Sequence, residues 1–259
     1  MHDNSKAAIS KVPEITLAFW VIKILATTLG ETGGDAVSMS MELGYLVSTG
    51  IFAVIFFVSV SAQIATTSYN PLLYWTTIIA TTTVGTTLAD FADRSLGLGY
   101  AGGSTLLLAL LMGSFLLWYR LQGSISTGSI TTPHTELFYW VTIMFSQTLG
   151  TALGDWTADE AGFGYAGSTL LFGGMLAAIV AAYYLTRLSR TLLFWAAFIL
   201  TRPLGAVVGD FLDKPLSKGG LELSRYSASF ALLAAIATLV LISTLRNRQP
   251  VRAELDIEQ

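Results

Sequence analysis

The chain has no cysteine, only two histidines and little charge: Lys, Arg, Asp and Glu make up 12% of its 259 residues. Without thiols it can hold no disulfide, thiolate zinc site, iron–sulfur cluster or c-type haem linkage, and His2 and His134 alone build no histidine metal cluster. Any metal it takes is hard and oxygen-liganded. A net charge of -3 supplies no basic field for a polyanion, and no glycine loop with a phosphate-binding lysine occurs, so nucleic acids and nucleotides are excluded as partners. What the sequence does have is apolar surface. With 53% hydrophobic residues and a mean hydropathy of +0.63, it is too apolar to cover itself for water. The composition calls for a lipid bilayer.

Four stretches read alike: FWVIKILATTLGETGGD, YWTTIIATTTVGTTLAD, YWVTIMFSQTLGTALGD and FWAAFILTRPLGAVVGD. Aligned on Trp20, Trp75, Trp140 and Trp195, they place Gly30, Gly85, Gly150 and Gly205 ten residues on, and Asp35, Asp90, Asp155 and Asp210 fifteen residues on, without a gap. Tyr45, Tyr100 and Tyr165 follow at a further ten, and the fourth copy reaches Tyr226 after six extra residues. Each copy carries two apolar segments of about 20 residues, long enough at about 1.5 Å per residue to cross a hydrocarbon core of roughly 30 Å. The expected organisation is an N-terminal tail 1–14, repeats at 15–62, 71–119, 137–185 and 190–245, a polar linker 120–136 and a C-terminal tail 246–259. This is an all-α integral membrane protein of eight transmembrane helices in four tandem two-helix repeats. An even number of spans makes the repeats parallel, with pseudo-fourfold or two-halves symmetry about the membrane normal.

Basic residues set the expected orientation. Lys6, Lys11, Arg120, Arg187, Arg190, Arg246, Arg248 and Arg252 fall on the side of the termini, against Arg94, Lys214, Lys218 and Arg225 on the other, which puts both termini in the cytoplasm. The repeated Trp then reads as an interfacial anchor and the repeated Gly as a packing position. The repeated Asp lies at the C-terminal end of an outgoing helix, unfavourable by about 0.3–1 kcal/mol against the macrodipole. Two compensations are open: the Asp caps a short outer helix, or it faces a cation, namely Arg94, Lys214, Lys218 or an ion in transit.

Positions seven, eleven and fifteen after each Trp share one helical stripe. They read Thr27, Glu31, Asp35; Thr82, Thr86, Asp90; Gln147, Thr151, Asp155; and Arg202, Ala206, Asp210. This polar lane puts the odd-numbered helices at the centre and the even-numbered helices toward lipid. Lys23, Glu31 and Arg202 break the fourfold pattern, and ionisable groups at such depth cost about 2.5–3.5 kcal/mol unless they meet a partner or cavity. In a ring, repeats 1 and 4 are neighbours, so Arg202 is expected to pair with Glu31. Pro203 frees a backbone carbonyl beside it. Two other patterns carry less: no pore helix fits ahead of the filter-like TTTVG, and Met39 with Met41 is a single thioether pair in a loop.

With its four tandem two-helix units and their Trp, Gly and Asp positions, residues 15–245 resemble a family of bacterial membrane-anchored proteins built from four tandem two-helix transmembrane repeats of unknown function. The resemblance implies eight helices and a bacterial inner-membrane location, and implies no activity. From the residues, the expectation is a secondary transporter, not an enzyme, for a small hard cation or a proton-coupled solute. Lys23, Thr27, Glu31, Thr82, Thr86, Gln147, Thr151 and Arg202 form its path and charge balance, with Asp35, Asp90, Asp155 and Asp210 as an outer acidic ring. No cofactor is expected, and the ions that suit such ligands are H⁺, Na⁺, Mg²⁺ and Mn²⁺. The partners are the lipid bilayer, a small ion or solute, and a second copy of the chain if it is a homo-oligomer. The alternative is a non-transporting membrane scaffold or sensor whose repeat motif is structural.

Overall fold

The structure, a computed structural model, describes residues 11–257, with side chains described as far as Arg246. Among these residues the long elements are eight helices: α1 (Leu17–Asp35), α2 (Gly44–Ala65), α3 (Pro71–Asp90), α4 (Gly99–Gln122), α5 (Pro133–Asp155), α6 (Gly164–Leu185), α7 (Arg190–Asp213) and α8 (Arg225–Ile257). The four odd helices start under side-chain caps. Thr16, Asn70, Thr132 and Ser189 each accept from the backbone N–H three residues on, and Pro71 and Pro133 pre-set the first turn of α3 and α5. At their far ends α1, α3 and α5 run through the repeated Asp into a five-residue π-helical turn. Paired left-handed residues, Glu42 and Gly44, Gly97 and Gly99, Gly162 and Gly164, then turn the chain into the following even helix.

The odd helices pack on one another in the order α1, α3, α5, α7 and back to α1, enclosing an inner ring. One contact, repeated four times, makes this possible. A Cβ at Gly30 would strike the Thr82 side chain, one at Gly85 would meet Gln147, one at Gly150 the stem of Arg202, and one at Gly205 would meet Thr27. The tenth position of each repeat thus receives the seventh position of the next, in cyclic order. Small residues bring the backbones together here, as in helix pairs that rely on van der Waals contact. The even helices lie outside, each against the inner helix of the following repeat: α2 on α3, α4 on α5, α6 on α7, and α8 back on α1.

Two expectations change. Five helices, α2, α4, α6, α7 and the Arg225–Arg246 part of α8, are long and apolar enough to cross a membrane, rather than eight. Helices α1, α3 and α5 fall short because their length goes to Lys23, Glu31, Gln147 and threonines, which the ring buries. The repeated Trp is not a belt residue either. Trp75, Trp140 and Trp195 are buried inside the ring, and Trp20 is half-buried. Each indole packs on the aromatic residue that precedes the Trp in the preceding repeat: Phe19 with Trp75, Tyr74 with Trp140, Tyr139 with Trp195 and Phe194 with Trp20, at 5.5, 5.7, 6.0 and 5.8 Å between ring centroids. This cluster closes one end of the ring. The chain between α4 and α5 reinforces it, since the Ile125 carbonyl accepts from Trp195 Nε1 at 2.9 Å and Ile130 is buried. Lys11, one of the basic residues counted on the side of the termini, is buried near this end. It pairs with Glu136 at 2.5 Å and donates to the carbonyls of Gln63 and Ile64.

Valine at Gly85 would press on the Gln147 backbone and should cost about 1–3 kcal/mol or more by overpacking. Alanine at Gly173, on the outer face of α6 with nothing within 4 Å, should be neutral or stabilise by up to about 1 kcal/mol. Thermal unfolding of the two variants in detergent measures the contrast.

Candidate functional site

Because each inner helix repeats its lining residue every four positions, the ring interior is built in layers of four. Nearest the aromatic end lie Lys23, Ile78, Ile143 and Phe198. Then come Thr27, Thr82, Gln147 and Arg202; then Glu31, Thr86, Thr151 and Ala206; and last Asp35, Asp90, Asp155 and Asp210. No side chain in these four layers belongs to a residue more than 2% exposed. All the lane residues named from the sequence are therefore brought together, and they are sealed from the protein surface. Most of the threonines satisfy their hydroxyls locally: Thr27, Thr86 and Thr151 donate to the carbonyl four residues back. Thr82 does not, and its Oγ1 has no hydrogen-bond partner among the described residues.

Arg202 and Glu31 meet. Arg202 Nη2 lies 3.0 Å from Glu31 Oε2, donates to Thr86 Oγ1 at 2.6 Å and also donates to Thr151 Oγ1. A single guanidinium on α7 therefore touches α1, α3 and α5. Gly150 is what lets its stem cross the ring, since a Cβ there would occupy the same space. Thr86 passes the contact on, with its hydroxyl 3.1 Å from the Gly30 carbonyl and 3.3 Å from Glu31 Oε2.

The acid layer is organised by two cations rather than by capping. Asp35, Asp90 and Asp155 stand where the helix runs on into the π-helical turn, and none makes a side-chain cap. The capping reading fails because helical backbone continues past the Asp, leaving no free N–H for it to accept. Instead Arg94 lies 3.1 Å from Asp90 and 3.0 Å from Asp155, while Lys214 lies 2.6 Å from Asp35 and 3.0 Å from Asp210. Both cations follow the Asp of an even-numbered repeat by four residues, so the spacing that would have found them is present in the sequence. Lys218, the third candidate, is exposed. Arg225 was missed as a partner: it pairs with Asp213 at 2.8 Å and lies 3.8 Å from Asp35.

Each cation ties two helices, α3 to α5 and α7 to α1. Among the described residues no ion pair spans the other two sides of this layer. Across one of them, carboxylate oxygens of Glu31, Asp155 and Asp210 come within 4.8 Å of one another. Six buried carboxylates, Asp213 included, thus face four cationic groups, Arg94, Arg202, Lys214 and Arg225, an excess of two negative charges in a low-dielectric interior. Repulsion in such a set would be relieved by protons or by an oxygen-liganded cation.

The family model described as a Repeat of Unknown Function (DUF347) matches residues 18–69, 73–124, 138–189 and 193–249. The chain belongs to this family. Each DUF347 repeat takes in one inner helix and the outer helix after it, so the ring contacts run between repeats, as do the ion pairs Arg94–Asp155, Lys214–Asp35 and Arg202–Glu31. Neither a curated protein nor a solved structure matches the chain.

Two predictions arise from this geometry. Glu31→Gln and Arg202→Gln should each destabilise by about 3–5 kcal/mol, because each leaves a buried charge without its partner. In a double-mutant cycle read by unfolding in detergent, the pair should couple by about 1–3 kcal/mol, and additive losses would show that the two do not act as a unit. At the turn after α3, burial pushes the Asp93 carboxyl up to about 6 against the opposing pull of Arg94. Its protonated form is the one that the fold favours, so its contribution is full below about pH 4 and is lost as pH rises through about 6. Asp93→Asn should remove that part of the pH dependence of thermal stability.

Proposed function

We propose that the protein is a multi-pass inner-membrane secondary transporter for a small hard cation, or for a solute coupled to protons, with the ring axis as its path. The observation that carries this reading is the uncompensated acid excess around Glu31, Asp155 and Asp210, held at one end of a polar lane that runs through the ring. In this reading all eight helices span the bilayer about a pseudo-fourfold axis along its normal. The outer helices face lipid, and α1, α3 and α5 cross because the others shield their polar faces. The Asp end faces outward and both termini lie in the cytoplasm. Of the basic residues on the Asp side, Arg94, Lys214 and Arg225 are neutralised by ring acids, which leaves the positive charge balance to Arg120, Arg187, Arg190 and Arg246.

The two cation bridges divide the acid layer into an α3/α5 half and an α7/α1 half, while Arg202 ties the four helices in the neighbouring layer. A cation or proton arriving at the unbridged side lowers the repulsion between halves, and its departure restores it. This is a two-state element of the kind alternating access requires. No catalytic step is assigned to these residues and no cofactor is needed; the cargo is H⁺, Na⁺, Mg²⁺ or Mn²⁺. A scaffold or sensor is the second reading, and the tight aromatic closure at the Trp end is the observation that favours it.

Flux separates the two. Reconstituted in vesicles, the protein should move at least one of H⁺, Na⁺, Mg²⁺ and Mn²⁺ down an imposed gradient, and a folded Glu31→Gln variant should be at least about tenfold slower. Absence of flux for all four ions would favour the scaffold.

A further inference from the structure

The layers beneath the Glu31–Arg202 pair have the opposite chemistry from the acid layer above it. Lys23 Nζ has no hydrogen-bond partner among the described residues; its ammonium lies 4.2 Å from the centroid of the Phe198 ring, in a layer otherwise made of Ile78 and Ile143. Phe198 is one turn before Arg202 on α7, so the two cationic side chains are stacked along the axis. Arg202 commits only Nη2 to Glu31, Thr86 and Thr151, and its Nε and Nη1 are without partners. In the same layer both amide atoms of Gln147 and the hydroxyl of Thr82 are unpartnered as well. Lys23, Thr82, Gln147 and Arg202 are all 0% exposed.

Unmet N–H donors here outnumber oxygen acceptors several-fold. A guanidinium does not shed its proton, and a buried lysine amine stays charged beside it only when an anion accompanies it, since an ammonium with no acceptor costs several kcal/mol. A water molecule would accept only part of this donor set and would bring no charge. The glycine contacts at Gly85 and Gly150 draw the helices to backbone distance at this level, which excludes a tetrahedral oxyanion with its four oxygens and limits any ligand to a compact one.

We propose that this layer binds a small hydrogen-bond-accepting anion, a halide or the carboxylate of a small solute, held by Lys23 and Arg202 with Gln147 and Thr82 as neutral ligands. The site stands on these donors alone and does not depend on the transport reading. Together with the acid layer it gives the axis one anion-accepting and one cation-accepting level, separated by the Glu31–Arg202 pair.

The test is thermal unfolding of the full chain in detergent at constant ionic strength, with sodium gluconate replaced stepwise by sodium chloride, bromide or acetate. Chloride and bromide, or acetate, should raise Tm saturably, and which of the two does so identifies a halide or a carboxylate as the ligand. Lys23→Met should raise Tm in gluconate by removing a buried amine that has no partner there, and should weaken the anion response at least about tenfold. Should Lys23→Met fail to fold, Gln147→Met is expected to weaken the response several-fold. Lys218→Met, at an exposed lysine, should keep the full response. The proposal is overturned if no anion gives a saturable rise, if Lys23→Met and Gln147→Met respond as the unmodified chain does, or if Lys218→Met loses the response to the same degree.

Discussion

The four inner helices are held by one guanidinium. Packing alone is a weak cement between helices in a lipid-like surrounding, where apolar contact with a neighbour gains little over contact with hydrocarbon. Arg202 Nη2 supplies what packing does not, a charge-assisted link from α7 to Glu31 on α1, Thr86 on α3 and Thr151 on α5. That link requires Gly150, whose missing Cβ is the space the arginine stem crosses, and it explains why Ala206 can be apolar: Arg202 occupies the polar role for its repeat one turn earlier. The fourfold sequence pattern is thus broken at the place where its breaking joins the four copies.

A second level of organisation is twofold. Arg94 and Lys214 sit at the same offset in alternate repeats and each serves its own Asp and one neighbour's. Fourfold glycine contacts set the shape of the ring, twofold cations set its charge, and the single Glu31–Arg202 pair removes the remaining equivalence. Each step down in symmetry uses fewer residues and carries more chemistry. The excess acid and the excess donors are consequences of this descent, because a strictly repeated Asp with only alternate cations leaves negative charge over, and a unique Lys23 in an apolar layer leaves positive charge without an acceptor.

Much of this was legible in the chain. Gap-free spacing from Trp to Asp aligned all four inner helices, and with that the composition of the three layers from Thr27 to Asp35 and the Arg202–Glu31 pair, whereas the layer of Lys23, Ile78, Ile143 and Phe198 went unread. Other features were hidden for physical reasons. Spacing within a repeat carries no information on which neighbour a helix packs against, so the docking of α2 on α3 rather than on α1 could not be read. A recurrent aromatic near the end of an apolar run looks the same whether it anchors at an interface or plugs a ring, and only the preceding residues Phe19, Tyr74, Tyr139 and Phe194 show the second in the structure. The Asp was ambiguous because the sequence does not show that a π-helical turn continues past it.

The pairing of outer helix with following inner helix bears on how the chain assembles. Helices α2 with α3, α4 with α5 and α6 with α7 are consecutive, so each couple can form as soon as its second member has been synthesised. Helix α1 is the exception: its outer partner is α8, the last of the eight described helices in chain order. Until α7 and α8 have been made, the helix that carries Lys23 and Glu31 lacks its arginine and its cover. The inner helix with two charged groups in its lining face is therefore the one that waits longest, and the circle closes only once α8 is in place.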